Sequence, residues 1–340
     1  MQDLVSQLQS GVALSSSDAQ SAVAHLVGDK ASETEKAGFL QALRTKGETA
    51  GEMAAFVEAL LDLAIDPGID PARLFGPLID VCGTGGDRLE LFNVSTTSMF
   101  VLAAGGAVVV KHGNRAITSK CGGADVLEAL GVQIELPPAD LRRCVETLGL
   151  GFVFAQAYHP AFKAIAPVRK ALAAQGIPTI FNLLGPLLNP VRPAHQLVGI
   201  FAPELLPKYA SAFTTLGRSR AWAVHGSGMD ELSTSGPSDV VEVTPSSSRN
   251  LVVIPGDLGI APATLDELRG GDQAQNAAIL VGILDGSIIG PKRDMVLLNS
   301  AAGFVVSGLV PDLPAGLELA RQQIESGRAA AKLRALQDFQ

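Results

Sequence analysis

Leu78-Ile79-Asp80-Val81-Cys82-Gly83-Thr84-Gly85-Gly86-Asp87 is the stretch that decides the fold. A short apolar run that breaks at once into a glycine loop predicts a buried strand. Its end turns sharply and leaves backbone N–H groups free to close on an anion. The pattern returns at Ala107-Val108-Val109-Val110, followed by Lys111-His112-Gly113-Asn114-Arg115. Lys, His, Asn and Arg this close together supply side-chain donors for phosphate oxygens. Between the two lies Asn93-Val94-Ser95-Thr96-Thr97-Ser98, which opens an apolar helical stretch running to Ala104. Its hydroxyls stand where a helix N-terminus points at an anion. Taken singly, the glycine loop also reads as a tight turn and the basic pentapeptide as a solvated loop. Together, each at the end of a strand, they indicate a polyphosphate site.

Outward from this stretch, short apolar runs alternate with amphipathic helices, the signature of a largely parallel sheet. Strands are predicted at 78–82, 107–110, 152–155, 197–201, 221–225, 239–243 and 251–254. Segment 160–174 reads as a helix bent by Pro160 or Pro167. Segment 182–190 reads as a loop without regular period, and 245–250 as a plain surface loop. Three C-terminal helices are predicted at 273–285, 292–306 and 313–335. Before Leu78 only helices are expected, three of them opened by capping boxes at Ser17…Gln20, Ser32…Glu35 and Thr49…Glu52. The fold class is therefore α/β. A small N-terminal helical domain (1–72, completed by helices near 160–190) precedes a larger domain (73–340) whose mostly parallel sheet is flanked by helices. The helical part's leftover apolar surface reads as a packing or dimer face.

The chain has 340 residues, 47% of them hydrophobic, enough for a sizeable core. A net charge of -8 argues against a nucleic-acid partner, which needs a basic footprint. Cys82, Cys121 and Cys144 fit no metal or redox spacing and read as reduced, buried residues. Met1-Gln2-Asp3-Leu4 lacks a basic leader, and no charge-free apolar run of membrane-spanning length occurs. A cytoplasmic protein with no membrane association is expected.

A second site signal is His225-Gly226-Ser227-Gly228-Met229-Asp230-Glu231, after the run Ala221-Trp222-Ala223-Val224. Two adjacent carboxylates on a glycine-rich loop form either an exposed acidic turn or a seat for Mg²⁺, which prefers oxygen ligands and bridges to phosphate. With a phosphate cradle in the same fold, the second reading is preferred.

These motifs, with Lys46-Gly47-Glu48-Thr49, Ala124-Asp125-Val126-Leu127-Glu128-Ala129-Leu130-Gly131, His159-Pro160-Ala161, Ala166-Pro167-Val168-Arg169 and Phe181-Asn182-Leu183-Leu184-Gly185-Pro186-Leu187, run nearly the length of the chain. The sequence resembles the anthranilate phosphoribosyltransferase family. The resemblance implies transfer of phosphoribosyl from phosphoribosyl diphosphate to the amine of anthranilate. It implies donor binding by Gly83, Gly86, Asp87, Leu91, Asn93, Val94, Ser95, Thr96, Lys111, His112, Gly113, Asn114, Arg115, Lys120 and Gly123. It implies an anthranilate path along Gly83, His112, Asn114, Arg169 and Pro186. Mg²⁺, two ions per site, is implied at Ser95, Asp230 and Glu231, and a homodimer through the helical domain. No protein nucleophile or base is required.

Three positions depart from the family pattern: Arg88 where a small residue is usual, Leu91 where a hydroxyl is usual, and Cys121-Gly122-Gly123 where Ser-Gly-Ser is usual. Two hydroxyl donors are thus missing and one guanidinium is added. Two other readings stay open at this point: a nucleoside phosphorylase of the same fold, and a non-catalytic paralogue that binds nucleic acid.

Overall fold

The computed structural model describes residues 1–87, 89–116 and 120–339. Seven strands form one sheet: β1 Leu78–Gly83, β2 Val108–Gly113, β3 Leu150–Phe154, β4 His195–Gly199, β5 Arg220–Gly226, β6 Ser238–Thr244 and β7 Ser247–Val253. Their order is β3-β2-β1-β4-β5-β6-β7. β3 through β5 run parallel, and β6 and β7 close one edge antiparallel. The parallel strands are almost entirely buried, which is why they read as near-continuous apolar runs. After β1 the chain steps outward to β2 and β3, then returns to β4 on the other side of β1. Such a reversal opens a crevice at the carboxyl ends of the central strands, where ligands of open α/β sheets bind.

Alternation along each strand divides the interior into two cores. Val81, Leu197, Trp222 and Val224 face a core built with the helices Val94–Ala104, Gln273–Leu284 and Pro291–Val306. Cys82, Val198, Ala221 and Ala223 face a core shared with Ser16–Val27, Glu33–Lys46, Ala50–Leu61 and Leu206–Thr215. Ile165, Val168 and Leu172 of the helix Ala161–Ala174, with Ile180 and Phe181, also belong to this second core.

Among the helices before β1, Ser32 and Thr49 are N-caps with complete capping boxes, as their spacing predicts. The first box is Ser15 with Asp18, not Ser17 with Gln20. Asp18 accepts from the Ser15 N–H at 2.9 Å and from its hydroxyl at 2.7 Å. A carboxylate makes the stronger, charge-assisted box and moves the start two residues back. Glu52 does more than cap: its buried carboxylate accepts from Thr49 N–H, Leu14 N–H and Lys46 Nζ at 2.8–2.9 Å.

Three other expectations need correction, and the placing of the two prolines near 160–174 is settled. Residues 247–250 are not loop but the first half of β7, turned back on β6 through Pro245 and Ser246. Their side chains are exposed on an edge strand, so no apolar alternation marks them. The helix expected at 313–335 is two, Leu313–Glu325 and Arg328–Gln337, broken at Gly327 with φ 73°. Residues 181–187 are not loop but a helical turn, Phe181–Leu184, running into a 3₁₀ turn, Gly185–Leu187. There Pro186 occupies a starting position that lacks an N–H partner anyway. Pro160 precedes Ala161–Ala174 and only Pro167 lies inside it. Among the described residues no helix is long and apolar enough to cross a membrane.

Candidate active site

At the carboxyl ends of β1 and β4, Gly83 and Gly199 are register partners. The 226–231 segment lies directly on both. A Cβ on Gly83 would stand 2.5 Å from the Asp230 carboxylate, and one on Gly199 would overlap the Asp230 carbonyl. Glycine is required here for close approach of a second backbone. The segment is braced from behind. Gly226 and Met229 exchange N–H···O bonds at 3.0 Å, and His225 Nδ1 donates to Ile200 O at 2.8 Å. Buried Asn299 accepts from Leu232 N–H at 3.0 Å and donates to its carbonyl at 2.9 Å.

The glycine loop faces this segment. Gly85 N–H donates to Asp230 Oδ2 at 2.6 Å, and Gly85 and Gly86 hold φ of 65° and 102°. Thr84 N–H and hydroxyl tie the loop to Gly199 and Phe201. Burial pushes the Asp230 carboxyl up, and neighbouring Asp87 adds to the effect. Burial likewise pushes Glu231 up, with Asp230 and Asp87 adding repulsion and Lys111 and the Ser95 N–H opposing it. Lys111 is buried, with Nζ donating to Val81 O at 2.6 Å and to Ser95 Oγ at 3.1 Å. Repelling carboxylates with one ammonium nearby form a seat for a hard cation. Among the described residues no three His, Cys, Asp or Glu side chains could hold a metal by themselves. The seat therefore suits an ion that keeps water or phosphate oxygens, as Mg²⁺ does.

Around this seat the other donor-side candidates fall on three elements. Val94, Ser95 and Thr96 form the first turn of Val94–Ala104, with Asn93 as N-cap. Asn93 Nδ2 donates to Cys121 O at 3.1 Å, and among the described residues its buried Oδ1 has no partner. Gly123 opens a short helix beside them; a Cβ there would stand 3.0 Å from Thr96 Oγ1. Leu91 bridges to Arg269 and carries its loop to the 268–271 segment. Asp87 accepts from Leu89 N–H at 3.2 Å. Lys120 is exposed and paired to Glu90 at 3.0 Å. Arg115 is committed elsewhere: its guanidinium forks onto Glu128, lies 3.6 Å from Asp125, and sits over Phe154. Arg88, whose contact with phosphate the sequence leaves open, lies outside the described residues, as do Ile117–Ser119 of the basic loop.

Across the crevice, His112 Nδ1 meets Gly185 O at 3.2 Å, and buried Nε2 has no protein partner. Burial, with His159 beside it, lowers the His112 pKa to about 3, so the ring is neutral. His112 and His159 pack edge-on at 5.3 Å, His159 stacks on Phe162, and Phe162 packs on Phe181. Arg169 lies over the Phe181 ring at 5.2 Å. Burial lowers its pKa, and among the described residues no carboxylate pairs with it. Asn114 Oδ1 accepts from Arg115 N–H and Gln156 Nε2. Gly113 ends β2 beside it. Pro186 O accepts from Gln196 Nε2 at 3.0 Å, and Gln196 accepts from Arg218 Nε at 2.6 Å.

Four residues here carry no assigned role in the sequence reading: Asp80, His159, Gly199 and Asn299. Asp80 is fully buried mid-strand, accepts from His112 N–H at 3.1 Å, and has its pKa raised by burial to about 6. A charge inside an apolar run, an Asn inside an apolar helix and a Gly at a second strand end were the available signals.

A helical bundle beside an α/β unit, with a glycine loop and a carboxylate pair meeting at the sheet's switch point, defines a glycosyl transferase architecture. Residues 2–64 match the model of the glycosyl transferase family helical bundle domain, and residues 76–330 that of its a/b domain. The anthranilate phosphoribosyltransferase of Roseiflexus castenholzii is 45% identical over 338 residues, covering 99% of this chain and 97% of that one. That of Natronomonas pharaonis is 43% identical over the whole of both chains. The crystal structure of the Thermus thermophilus enzyme superposes with a TM-score of 0.91 at 40% identity, covering 99% of each chain. The Saccharomyces cerevisiae enzyme in complex with phosphoribosyl diphosphate and Mg gives 0.86 at 28%, covering 99% of this chain and 97% of that one. The chain belongs to the anthranilate phosphoribosyltransferase family.

Proposed function

We propose that the chain transfers phosphoribosyl from 5-phosphoribosyl 1-diphosphate to the amine of anthranilate, releasing diphosphate, as a step of tryptophan biosynthesis. The observation that carries this reading is the seating of Asp230 on the glycine loop, with Glu231 next to it facing Lys111 and the Ser95 N–H. Displacement at the anomeric carbon puts positive charge on the ribose and negative charge on the departing diphosphate. The protein's task is electrostatic and positional. The loop 83–87, the first turn at Asn93–Thr96 and Lys111 supply donors to the diphosphate. Thr96 Oγ1 stands close to where a side chain at 123 would begin and offers a hydroxyl in a region where Gly123 has none. Lys120 reaches phosphate by exchanging Glu90 for it. Arg115 acts indirectly, anchoring its loop through Glu128.

Mg²⁺, when bound, neutralises charge on the leaving diphosphate; we expect two ions per site, held among Ser95, Asp230 and Glu231. On the acceptor side, unpaired Arg169 receives the anthranilate carboxylate, since a guanidinium binds a carboxylate bidentately. Gly83, Asn114 and Pro186 line the approach. The His112 ring carries its proton on Nδ1, toward Gly185 O, and leaves a lone pair free on buried Nε2. With a pKa near 3 it accepts a hydrogen bond from the amine without taking a proton at pH 7. Anthranilate's amine is already neutral and needs no base.

Residues 1–72, with 160–190, act as the helical domain against 73–340. Two chains pair through its remaining apolar surface, and the protein works in the cytoplasm. Sedimentation tests the pairing: a monomer at micromolar concentration removes it. The function is tested by loss of anthranilate fluorescence with phosphoribosyl diphosphate and Mg²⁺. Asp230→Asn with Glu231→Gln should fold normally and turn over more slowly by a factor on the order of 10². Phosphorolysis of nucleosides without use of anthranilate would instead identify a phosphorylase.

A further inference from the structure

Behind the carboxylate seat, on the core side of the sheet, lies a cavity of about 10 Å³. Val81, Cys82 and Leu197 form one part of its wall, and Ser95, Ser98, Glu231 and Asn299 form the polar part. The volume is that of a single water, and buried waters persist where two to four polar groups meet them. Asn299 is spent, since both its polar atoms are bonded to Leu232 and Met295. Ser98 is not. It is 1% exposed, and among the described residues its Oγ has no hydrogen-bond partner. Its neighbour Thr97 bonds back to the Asn93 carbonyl at 2.8 Å, the usual recourse of a helical hydroxyl. Ser98 does not take that recourse and lines the cavity instead. A buried hydroxyl left unpaired costs about 1–3 kcal/mol, and the mechanism above gives this one no task.

We propose that Ser98 is a positioning residue for Glu231, acting through one water held in this cavity. The Ser98 hydroxyl donates to the water, and the water donates to the inner oxygen of the Glu231 carboxylate. The Ser95 hydroxyl, whose oxygen already accepts from Lys111, completes the polar wall. Among the described residues no side chain donates to the Glu231 carboxylate, and the hydrogen-bond donor that faces it is the Ser95 N–H. The water thus adds a second anchor to a carboxylate that the Ser95 N–H already holds, leaving its other oxygen for the metal. Outer partners of this kind govern how well a ligand carboxylate holds a metal.

The inference rests on the reading of Glu231 as a metal ligand, and the experiment separates the two. Mn²⁺ binding is followed by electron paramagnetic resonance, with phosphoribosyl diphosphate present, in the unaltered protein, Ser98→Ala and Ser98→Thr. We expect Ser98→Ala to weaken Mn²⁺ binding about tenfold, with the thermal midpoint little changed because Ala suits a helix interior. Ser98→Thr, which keeps the hydroxyl, should restore most of it. A crystal structure of the unaltered protein should show one water within hydrogen-bond distance of Ser98 Oγ and Glu231. If the unaltered protein binds no Mn²⁺, the parent reading falls and takes this one with it. Equal Mn²⁺ affinity in Ser98→Ala, or a Ser98 hydroxyl found bonded to the Val94 carbonyl with no water beside it, overturns this proposal alone.

Discussion

Gly83→Ala separates the geometry of the site from the stability of the fold. The new Cβ would stand 2.5 Å from Asp230 Oδ2, 3.0 Å from its Cγ and 3.2 Å from its carbonyl oxygen. Ordinary nonbonded contact needs about 3.5 Å, so the carboxylate must withdraw by roughly 1 Å. It is the free end of a side chain and can move without dragging the backbone. We therefore expect a stability loss of only about 1 kcal/mol, at the low end for overpacking. The catalytic loss is larger. The Gly85 N–H bond to Asp230 is broken, and a displacement of about 1 Å at a positioned group costs on the order of 10² in rate, or about 2.7 kcal/mol of barrier. Gly199→Ala should behave oppositely. There the Cβ overlaps a backbone carbonyl that cannot swing aside, and about 2–3 kcal/mol of stability is lost. Gly256→Ala is the control, with nothing within 4 Å of its Cβ. The assay is anthranilate fluorescence decay at saturating donor, paired with urea denaturation. A Gly83→Ala enzyme that is stable yet keeps more than about a third of its turnover would refute the claim that Asp230 must lie on β1.

Arg169→Ala should raise the Michaelis constant for anthranilate far more than that for the donor, by about 2–5 kcal/mol in kcat/KM; steady-state kinetics with a larger donor effect would move Arg169 to the other side of the site. His159 should make acid destabilising: burial lowers its pKa to about 4, so below pH 6.5 the unfolded chain takes up its proton while the folded chain does not. Between pH 6 and 4.5 the unaltered protein should lose about 1.4 kcal/mol per pH unit relative to His159→Gln, read from urea denaturation at each pH; parallel curves would show the ring is not held neutral. Lys46→Met strands the Glu52 carboxylate, 0% exposed on its side chain, with only N–H donors. It should cost about 3–5 kcal/mol, and a change under 1 kcal/mol in denaturant would show the pair to be dispensable.

The strands with buried faces were legible because burial favours apolar residues: β1, β2 and β5 carry runs of Leu, Ile, Val, Cys, Ala and Trp. β7 was half hidden because Ser247–Asn250 face water and lie at the sheet's edge, where composition records solvent rather than pairing. The helix break at Gly327 was legible in principle, since a residue at φ 73° is most cheaply glycine, but the apolar period runs straight through it. In the site, the phosphate and carboxylate loops announced themselves through residue types that burial alone does not explain. What holds those loops did not. Asn299 lies 67 residues from the Leu232 it clamps, and Gly199 is needed only because Asp230 comes to rest on it. Such roles are set by tertiary contact and leave a single unremarkable letter. Arg115 shows the converse: its motif suggests an anion, while its neighbour one helix away, Glu128, holds it.

The second core has a consequence for synthesis of the chain. The helices up to Leu61 leave the ribosome first, yet the core they share takes in Ile165, Val168, Leu172 and Phe181, and later Leu206, Tyr209 and Phe213. At translation rates of about 5–20 residues per second, the missing helix arrives on the order of ten seconds later. For that interval the nascent helices present an unfinished apolar surface while the first three strands are being made. The two matched segments, 2–64 and 76–330, divide the chain by sequence, but folding does not respect the division. A fragment ending at residue 64 should associate or bind chaperones rather than fold. One carried through to residue 215 adds Ile165, Val168, Leu172, Phe181 and the helix Leu206–Thr215, and should hold together better.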